Sequence, residues 1–226
     1  MHPLAQIPFA QVELTWDRTL NGKPSQRARQ LRGAVAHAFA DDPLFHQHDL
    51  TTGKPLYRYP RVHYRWQDGH GLIVGWGDAA QQLLERPWLD LTLRLGEESV
   101  AIEDAALTLR QGQFALSERL ERYRLRTPAL LFNQENYARY QQMSEDLQDR
   151  ERNRLLVSNL LIALRGLEVH VPERLYAGFT QFQSQPCHYK NQPLLGLTGT
   201  LLCNAHLPDG LALGHAVSHG FGWLTR

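Results

Sequence analysis

Between residues 11 and 39 the hydrophobic pattern of the chain changes period, and that change constrains the fold more than any other feature. QVELTW (residues 11–16) alternates polar and apolar residues, as a strand with one buried face does. After a loop with Gly22 and Pro24, Ala28, Leu31, Val35 and Phe39 recur every three or four residues, which is the spacing of a helix with one apolar stripe. Ser25 is placed to cap this helix, which ends before Pro43.

The same reading continues along the chain. LYRYPRVHYRW (56–66) and GLIVGW (71–76) are aromatic and β-branched, and Asp68-Gly69-His70-Gly71 between them predicts a β-hairpin. DAAQQLLER (78–86) reads as a short helix, and WLDLTLRLG (88–96) and VAIEDAALTLRQGQFAL (100–116) read as strands. Strand, helix, hairpin, helix, strand is the order of a ferredoxin-like split βαβ unit with an antiparallel sheet. After LRTPALLF (125–132) the signal turns helical. Asn133 can cap QENYARYQQM (134–143), and an amphipathic run starts at Asp149 and passes through Leu155, Leu156, Asn159, Leu160 and Ala163 to Gly166. Strands are expected at LEVHV (167–171), AGFTQFQS (177–184), LLGLTGTLLCNAHL (194–207) and the glycine-rich tail, so a second α+β unit fits. The expected domains are residues 1–122 and 123–226.

The length of 226 residues accommodates one large domain or two small ones. With 42% hydrophobic residues and no apolar run near eighteen, the pattern excludes a membrane-spanning helix. The start, MHPLAQIPFAQ, lacks the charged and apolar regions of a signal peptide, so a cytoplasmic protein is expected. Cys187 and Cys203 are too few for a disulfide framework. A net charge of +1 means that any polyanion must meet a local patch. RLERYRLR (119–126) interleaves four arginines with Tyr123, and DRERNR supplies Arg150, Arg152 and Arg154; solvated faces are the alternative use of both.

Two segments concentrate chemistry. In the tail, Gly214, Gly220 and Gly222 would let backbone N–H groups approach a phosphate, or would simply supply positive φ in a sharply bent strand. Their spacing fits neither dinucleotide nor P-loop fingerprints. In FHQHDLTTGKPLYRYP (45–60), His46 and His48 precede Lys54, Tyr57, Arg58 and Tyr59, which gathers an acid/base group, cations and stacking faces in one loop and strand start. Metal binding by His-x-His has no nearby carboxylate pair or cysteine to complete it, and Cys187 and His188 would point to opposite faces of a strand. No Gly-x-Ser-x-Gly elbow supports a serine hydrolase.

Together, LRGAVAHAF, LFHQHDLTTGKPLYRYPRVHYRW, TPALLFNQENYARY, RLLVSNLLIALRGLEV and NAHLPDGLALGHAVSHGFGWL resemble, in order, the repeat-processing endoribonucleases of CRISPR systems: the Cas-six family of the RAMP superfamily, b-type branch. His215 and Arg165 stand where relatives often carry lysine. The resemblance implies an α+β fold of two tandem ferredoxin-like, RRM-related units with antiparallel sheets packed side by side. It implies cleavage of CRISPR repeat RNA in precursor transcripts without metal or other cofactor, by 2′-hydroxyl attack that leaves a 2′,3′-cyclic phosphate and a 5′-hydroxyl. It implies His46 as acid/base with His48 as alternate, and Tyr57 and Tyr59 to orient the phosphate or share proton transfer. RNA contacts are expected from Lys54, Arg58, Arg119, Arg122, Arg124, Arg126, Gly214, His215, His219, Gly220 and Gly222. The implied partners are repeat RNA and other Cas effector proteins, with monomer and homodimer both open. Two other functions fit the residues: a non-cleaving or slow crRNA-binding protein of the same fold, and a small-molecule α+β enzyme that shares only the architecture.

Overall fold

The computed structural model describes residues 1–46, 58–190 and 192–226. The chain divides into two compact units: the first holds Ile7–Gln111 and Ser218–Gly220, and the second holds Met1–Gln6, Gly112–Val217 and Phe221–Arg226. Strands β1 (His2–Trp16) and β5 (Glu98–Ala129) therefore each contribute to both units. The passage between units at Gln111 lies inside β5, whereas the sequence reading set it further along the same strand. Each unit combines antiparallel strands with helices, the α+β class that the order of periodicities predicts.

In the first unit, helix α1 (Pro24–Ala38) starts on Pro24, whose fixed φ suits a first turn. Lys23 is the N-cap and no side chain caps it, so Ser25 lies inside the helix instead of capping it. The helix buries Ala28, Leu31, Ala34 and Val35 against Val12, Leu14 and Trp16 of β1, Tyr64 and Trp66 of β2 (Val62–Gln67), and Ile73 of β3 (His70–Trp76). Val12 and Tyr64 both pair with Ile73, which makes β3 the middle strand of this ladder. The expected hairpin turn is present, with Asp68 at φ 51° and Gly69 at φ 87°, the left-handed pair that a two-residue turn needs. Helix α2 (Asp78–Leu84) packs Leu83 onto Gly75, where a Cβ would stand 2.6 Å from the leucine side chain. Strand β4 (Thr92–Leu95) pairs with the start of β5.

In the second unit, β6 (Ala177–Tyr189) pairs with β7 (Gln192–His206), which pairs with β5; β8 (Leu224–Thr225) pairs with β5 as well. Helix α3 (Gln134–Gln141) is capped as expected, the Asn133 side chain accepting from the Asn136 N–H at 2.7 Å. Helix α4 (Glu145–Gly166) begins before Asp149, because its first turn carries an exposed Leu147 and so shows no apolar stripe in the sequence. LEVHV is not a strand. Its residues close α4: the Leu167 N–H donates to the Ala163 carbonyl, Glu168 takes φ 63°, and the Val169 N–H donates to the Leu164 carbonyl, burying Leu167 and Val169. Alternating hydrophobicity there reflects a helix stop, not a pleat. Among the described residues no helix is long and apolar enough to cross a membrane.

Candidate nucleic-acid interface

His46 ends the 3-10 turn Pro43–Phe45, and the turn is held at several points. The Asp42 carboxylate accepts from the Leu44 N–H at 3.0 Å and binds the Arg86 guanidinium at 2.7 and 2.9 Å. Phe45 stacks on Phe39 at 4.9 Å and meets the edge of Trp88. The His46 ring is half-buried, with Nε2 3.3 Å from the Phe39 carbonyl oxygen. A carbonyl can only accept, so Nε2 carries a proton, and in the neutral ring the basic lone pair sits on Nδ1. His48, Lys54 and Tyr57 lie outside the described residues.

Arg58 is exposed, whereas Tyr59 is buried and meets the His63 ring edge-on at 5.4 Å. The sequence predicts only a strand here. Its alternation, Val62-His63-Tyr64-Arg65-Trp66, predicts one solvated face, yet both faces are buried. His63 donates through Nε2 to the Pro60 carbonyl at 2.8 Å, and its Nδ1 has no hydrogen-bond partner among the described residues. Complete burial, with Arg65 beside it, drives its pKa down to about 3, which keeps the ring neutral. Burial also pulls Arg65 down to about 9. No hydropathy signal announces that a histidine and an arginine will share a covered strand face.

In β5, alternation sorts the RLERYRLR segment. Tyr123 and Leu125 are buried, while Arg122, Arg124 and Arg126 are exposed on the opposite face. Tyr123 is an internal anchor, not a stacking platform: its hydroxyl donates to the Ala205 carbonyl at 3.0 Å and accepts from the Leu207 N–H at 2.8 Å. Burial pushes its pKa up to about 12. Glu121, on Tyr123's side, is engaged by Arg226 and His206. Among the described residues no carboxylate pairs with Arg122, Arg124 or Arg126, and the Arg126 guanidinium lies 6.0 Å from the Trp223 ring centre. Arg119 is exposed where the β5–β7 register is interrupted.

All three tail glycines take positive φ, but the tail is not the expected strand: a 3-10 turn (Val217–His219) and the two-residue β8 are its regular elements, and each glycine has a close backbone or side-chain neighbour. A Cβ on Gly222 would stand 1.8 Å from the Leu213 carbonyl oxygen, and one on Gly214 would stand 2.7 Å from that of Leu130. Within the first unit, a Cβ on Gly220 would stand 2.9 Å from the Ala28 Cβ of α1. The His215 N–H donates to the Leu130 carbonyl at 2.8 Å, and partial burial lowers its imidazole pKa. His219 Nδ1 is 3.1 Å from the Ser218 hydroxyl.

The model of the Cas6b N-terminal domain matches residues 5–113, and that of the Cas6b C-terminal domain matches residues 115–226. The chain belongs to the Cas6b family. A crystal structure described as Cas6b superposes on 98% of this chain and 100% of its own, with a TM-score of 0.86 at 23% identity. Another, described as CRISPR RNA processing endoribonuclease Cas6b, covers 98% of this chain and 99% of its own, with a TM-score of 0.75 at 22% identity. At those identities the likeness establishes the fold. An uncharacterized protein of Methanocaldococcus jannaschii is 31% identical over 114 residues, which are 50% of this chain and 78% of that protein. In this Cas6b chain the two cysteines sit at opposite ends of the β6–β7 hairpin, Cys187 opposite Leu194 and Cys203 opposite Ala177. Cys203 is buried and its thiol is pushed up to about 12.

Proposed function

We propose that this chain is a metal-independent endoribonuclease that cleaves CRISPR repeat RNA in precursor transcripts by attack of a ribose 2′-hydroxyl on the adjacent phosphate. The products are a 2′,3′-cyclic phosphate and a 5′-hydroxyl. The observation that carries the reading is the fixed imidazole of His46, half-buried at the end of a packed turn in a Cas6b chain. The solved relative described as a CRISPR RNA processing endoribonuclease supports the endoribonuclease part of this reading.

The reaction needs a base for the 2′-hydroxyl proton, an acid for the departing 5′-oxygen, and positive charge or donors for the phosphorane. His46, held by its contact with the Phe39 carbonyl, serves as the acid/base group, since imidazole can take up or release a proton near neutral pH. His48 is the alternate, Tyr57 and Tyr59 orient the phosphate, and Lys54 and Arg58 supply charge. Arg119, Arg122, Arg124 and Arg126 hold the RNA backbone, and the tail around Gly214, His215, His219, Gly220 and Gly222 contacts the strand. The protein acts in the cytoplasm, with other Cas effector proteins as partners.

The test is incubation of repeat RNA with the protein in EDTA, with product ends analysed for the cyclic phosphate. His46→Ala is expected to slow single-turnover cleavage by about a hundredfold or more, the scale of a lost acid or base, while repeat RNA still binds. Cleavage that stops on chelation, or that survives both His46→Ala and His48→Ala, would remove this mechanism.

A further inference from the structure

The second unit's sheet has one face covered by α4 and one that is not. On the covered side, the Arg152 guanidinium lies 4.0 Å from the Phe182 ring centre, and Leu125 and Leu201 are buried. The register places Leu125, Gly199 and Phe182 in one row across β5, β7 and β6, and Arg124, Thr200 and Gln181 in the next. Neighbouring rows point to opposite faces, so Arg124, Thr200 and Gln181, together with the Thr198 and Gln183 pair, project away from α4.

These residues, together with Leu125, Gly199 and Phe182 of the neighbouring row, line a 520 Å³ cavity, within the range of small-ligand pockets. Its shape is built into the strand pair. The β6–β7 register slips between Phe179 and Gln181, leaving Thr180 as the extra residue of a bulge, its hydroxyl donating to the Thr200 carbonyl at 3.2 Å. Gly199 opposite takes φ 139°, and a Cβ there would stand 2.1 Å from the Gln181 carbonyl oxygen. Only glycine permits that approach.

The lining has a definite chemistry. Arg124 supplies a cation without a carboxylate partner among the described residues, flanked along its strand by Arg122 and Arg126. No acidic residue lines the cavity. Gln181 and Gln183 each offer an amide donor and acceptor, the pairing that nucleobase edges present, and Thr198 and Thr200 add hydroxyls. Phe182 also lines the cavity, with its ring against Arg152, while Gln181, Gln183 and the threonine hydroxyls supply the hydrogen-bonding groups.

We propose that this bulged face is a base-reading subsite for one unpaired nucleotide of the bound RNA, with Arg124 on its phosphate and Gln181 and Gln183 on its base edge. This rests on the ribonuclease reading above and adds a specificity element to it.

The experiment measures binding of a panel of repeat RNAs in which each unpaired position carries each of the four bases in turn. The wild-type protein is expected to discriminate at one position by about tenfold or more, as one good amide–base pair does. The Gln181→Leu/Gln183→Leu double variant keeps the wild-type Tm and binds all four forms within about twofold of one another, having lost that readout. Arg124→Ala weakens every member about equally and flattens the salt dependence by about one charge. Photocrosslinks from 4-thiouridine at the discriminated position fall within residues 177–189 or 192–206. If repeat RNA binds but the double variant keeps the wild-type base preference, or the crosslinks fall elsewhere, the subsite is wrong while the nuclease reading stands. Loss of a protein partner with RNA discrimination intact also overturns it. If the wild-type protein binds no repeat RNA, the nuclease reading and the subsite fall together.

Discussion

Strand β5 and helix α4 carry arginines at the same spacing, at residues 122, 124 and 126 in one and 150, 152 and 154 in the other, and the fold uses them in opposite ways. In the strand, every second residue shares a face, so the three guanidiniums line up while Glu121 and Tyr123 turn to the other side. In the helix, residues two apart diverge and residues three apart meet, so Asp149 reaches Arg152 and Glu151 reaches Arg154 at 2.6 and 2.7 Å. Arg152 is buried, bonded to the Tyr140 hydroxyl and stacked over Phe182. One arginine series is left as a cationic row; in the other, Arg152 is buried and Arg154 is paired with Glu151 at the surface. Backbone period, not composition, decides which arginines can meet a polyanion.

The largest expected effect falls on the helix. Arg152→Ala removes a buried cation, its stacking and its hydrogen bond, and should destabilise the protein by about 3 kcal/mol, whereas Arg124→Ala should stay within about 0.5 kcal/mol. Urea unfolding of the two variants checks the contrast, and equal losses would break it. Next comes RNA binding. The triple variant Arg122→Ala/Arg124→Ala/Arg126→Ala should lose about ten- to a hundredfold in repeat-RNA affinity at moderate salt, with a salt slope shallower by about two. Arg150→Ala/Arg154→Ala should lose less, and the reverse ranking would place the RNA on α4.

Strand β2 sharpens the comparison, because His63 and Arg65 also share a strand face there, but a covered one. The unfolded chain takes up a proton near the ordinary histidine value of 6.5, and the folded one only near 3. Between those values the unfolded state binds more protons, so stability is present above the window and is lost as the pH falls through it. Going from pH 7.5 to 5, the Tm of the wild type should therefore fall further than that of His63→Gln. Identical drops would mean that His63 is not held neutral. The smallest effect belongs to Arg154→Ala: its pair with Glu151 is exposed on the arginine side, and the loss should stay under about 0.5 kcal/mol.

The sequence makes legible whatever depends on local period. The first helix stripe, the Asp68-Gly69 turn, the Asn133 cap and the positive φ of the tail glycines all follow from nearest-neighbour rules. The boundaries that escape it depend on partners distant in sequence. The start of α4 carries no apolar stripe, and Leu167 and Val169 alternate because they seal a helix end. His63 and Arg65 show the same limit at the candidate site: their burial is set by what covers β2, and a V-H-Y-R-W run looks half-solvated in isolation. The sorting of RLERYRLR follows once the segment lies in β5, since alternation then separates Tyr123 from its arginines. The Gly199 bulge had no sequence signal beyond a glycine within a strand pattern, which is compatible with a bulge but does not locate one.

Because β1 and β5 each serve both units, neither unit corresponds to a single stretch of chain. Met1–Gln6 belong with Gly112–Val217 and Phe221–Arg226, more than a hundred residues further along the chain. The second unit therefore closes through contacts of very high sequence separation, the kind that slow folding and leave strand edges open for longest. Cutting the gene at the middle of β5 would yield two fragments, each missing part of its own unit.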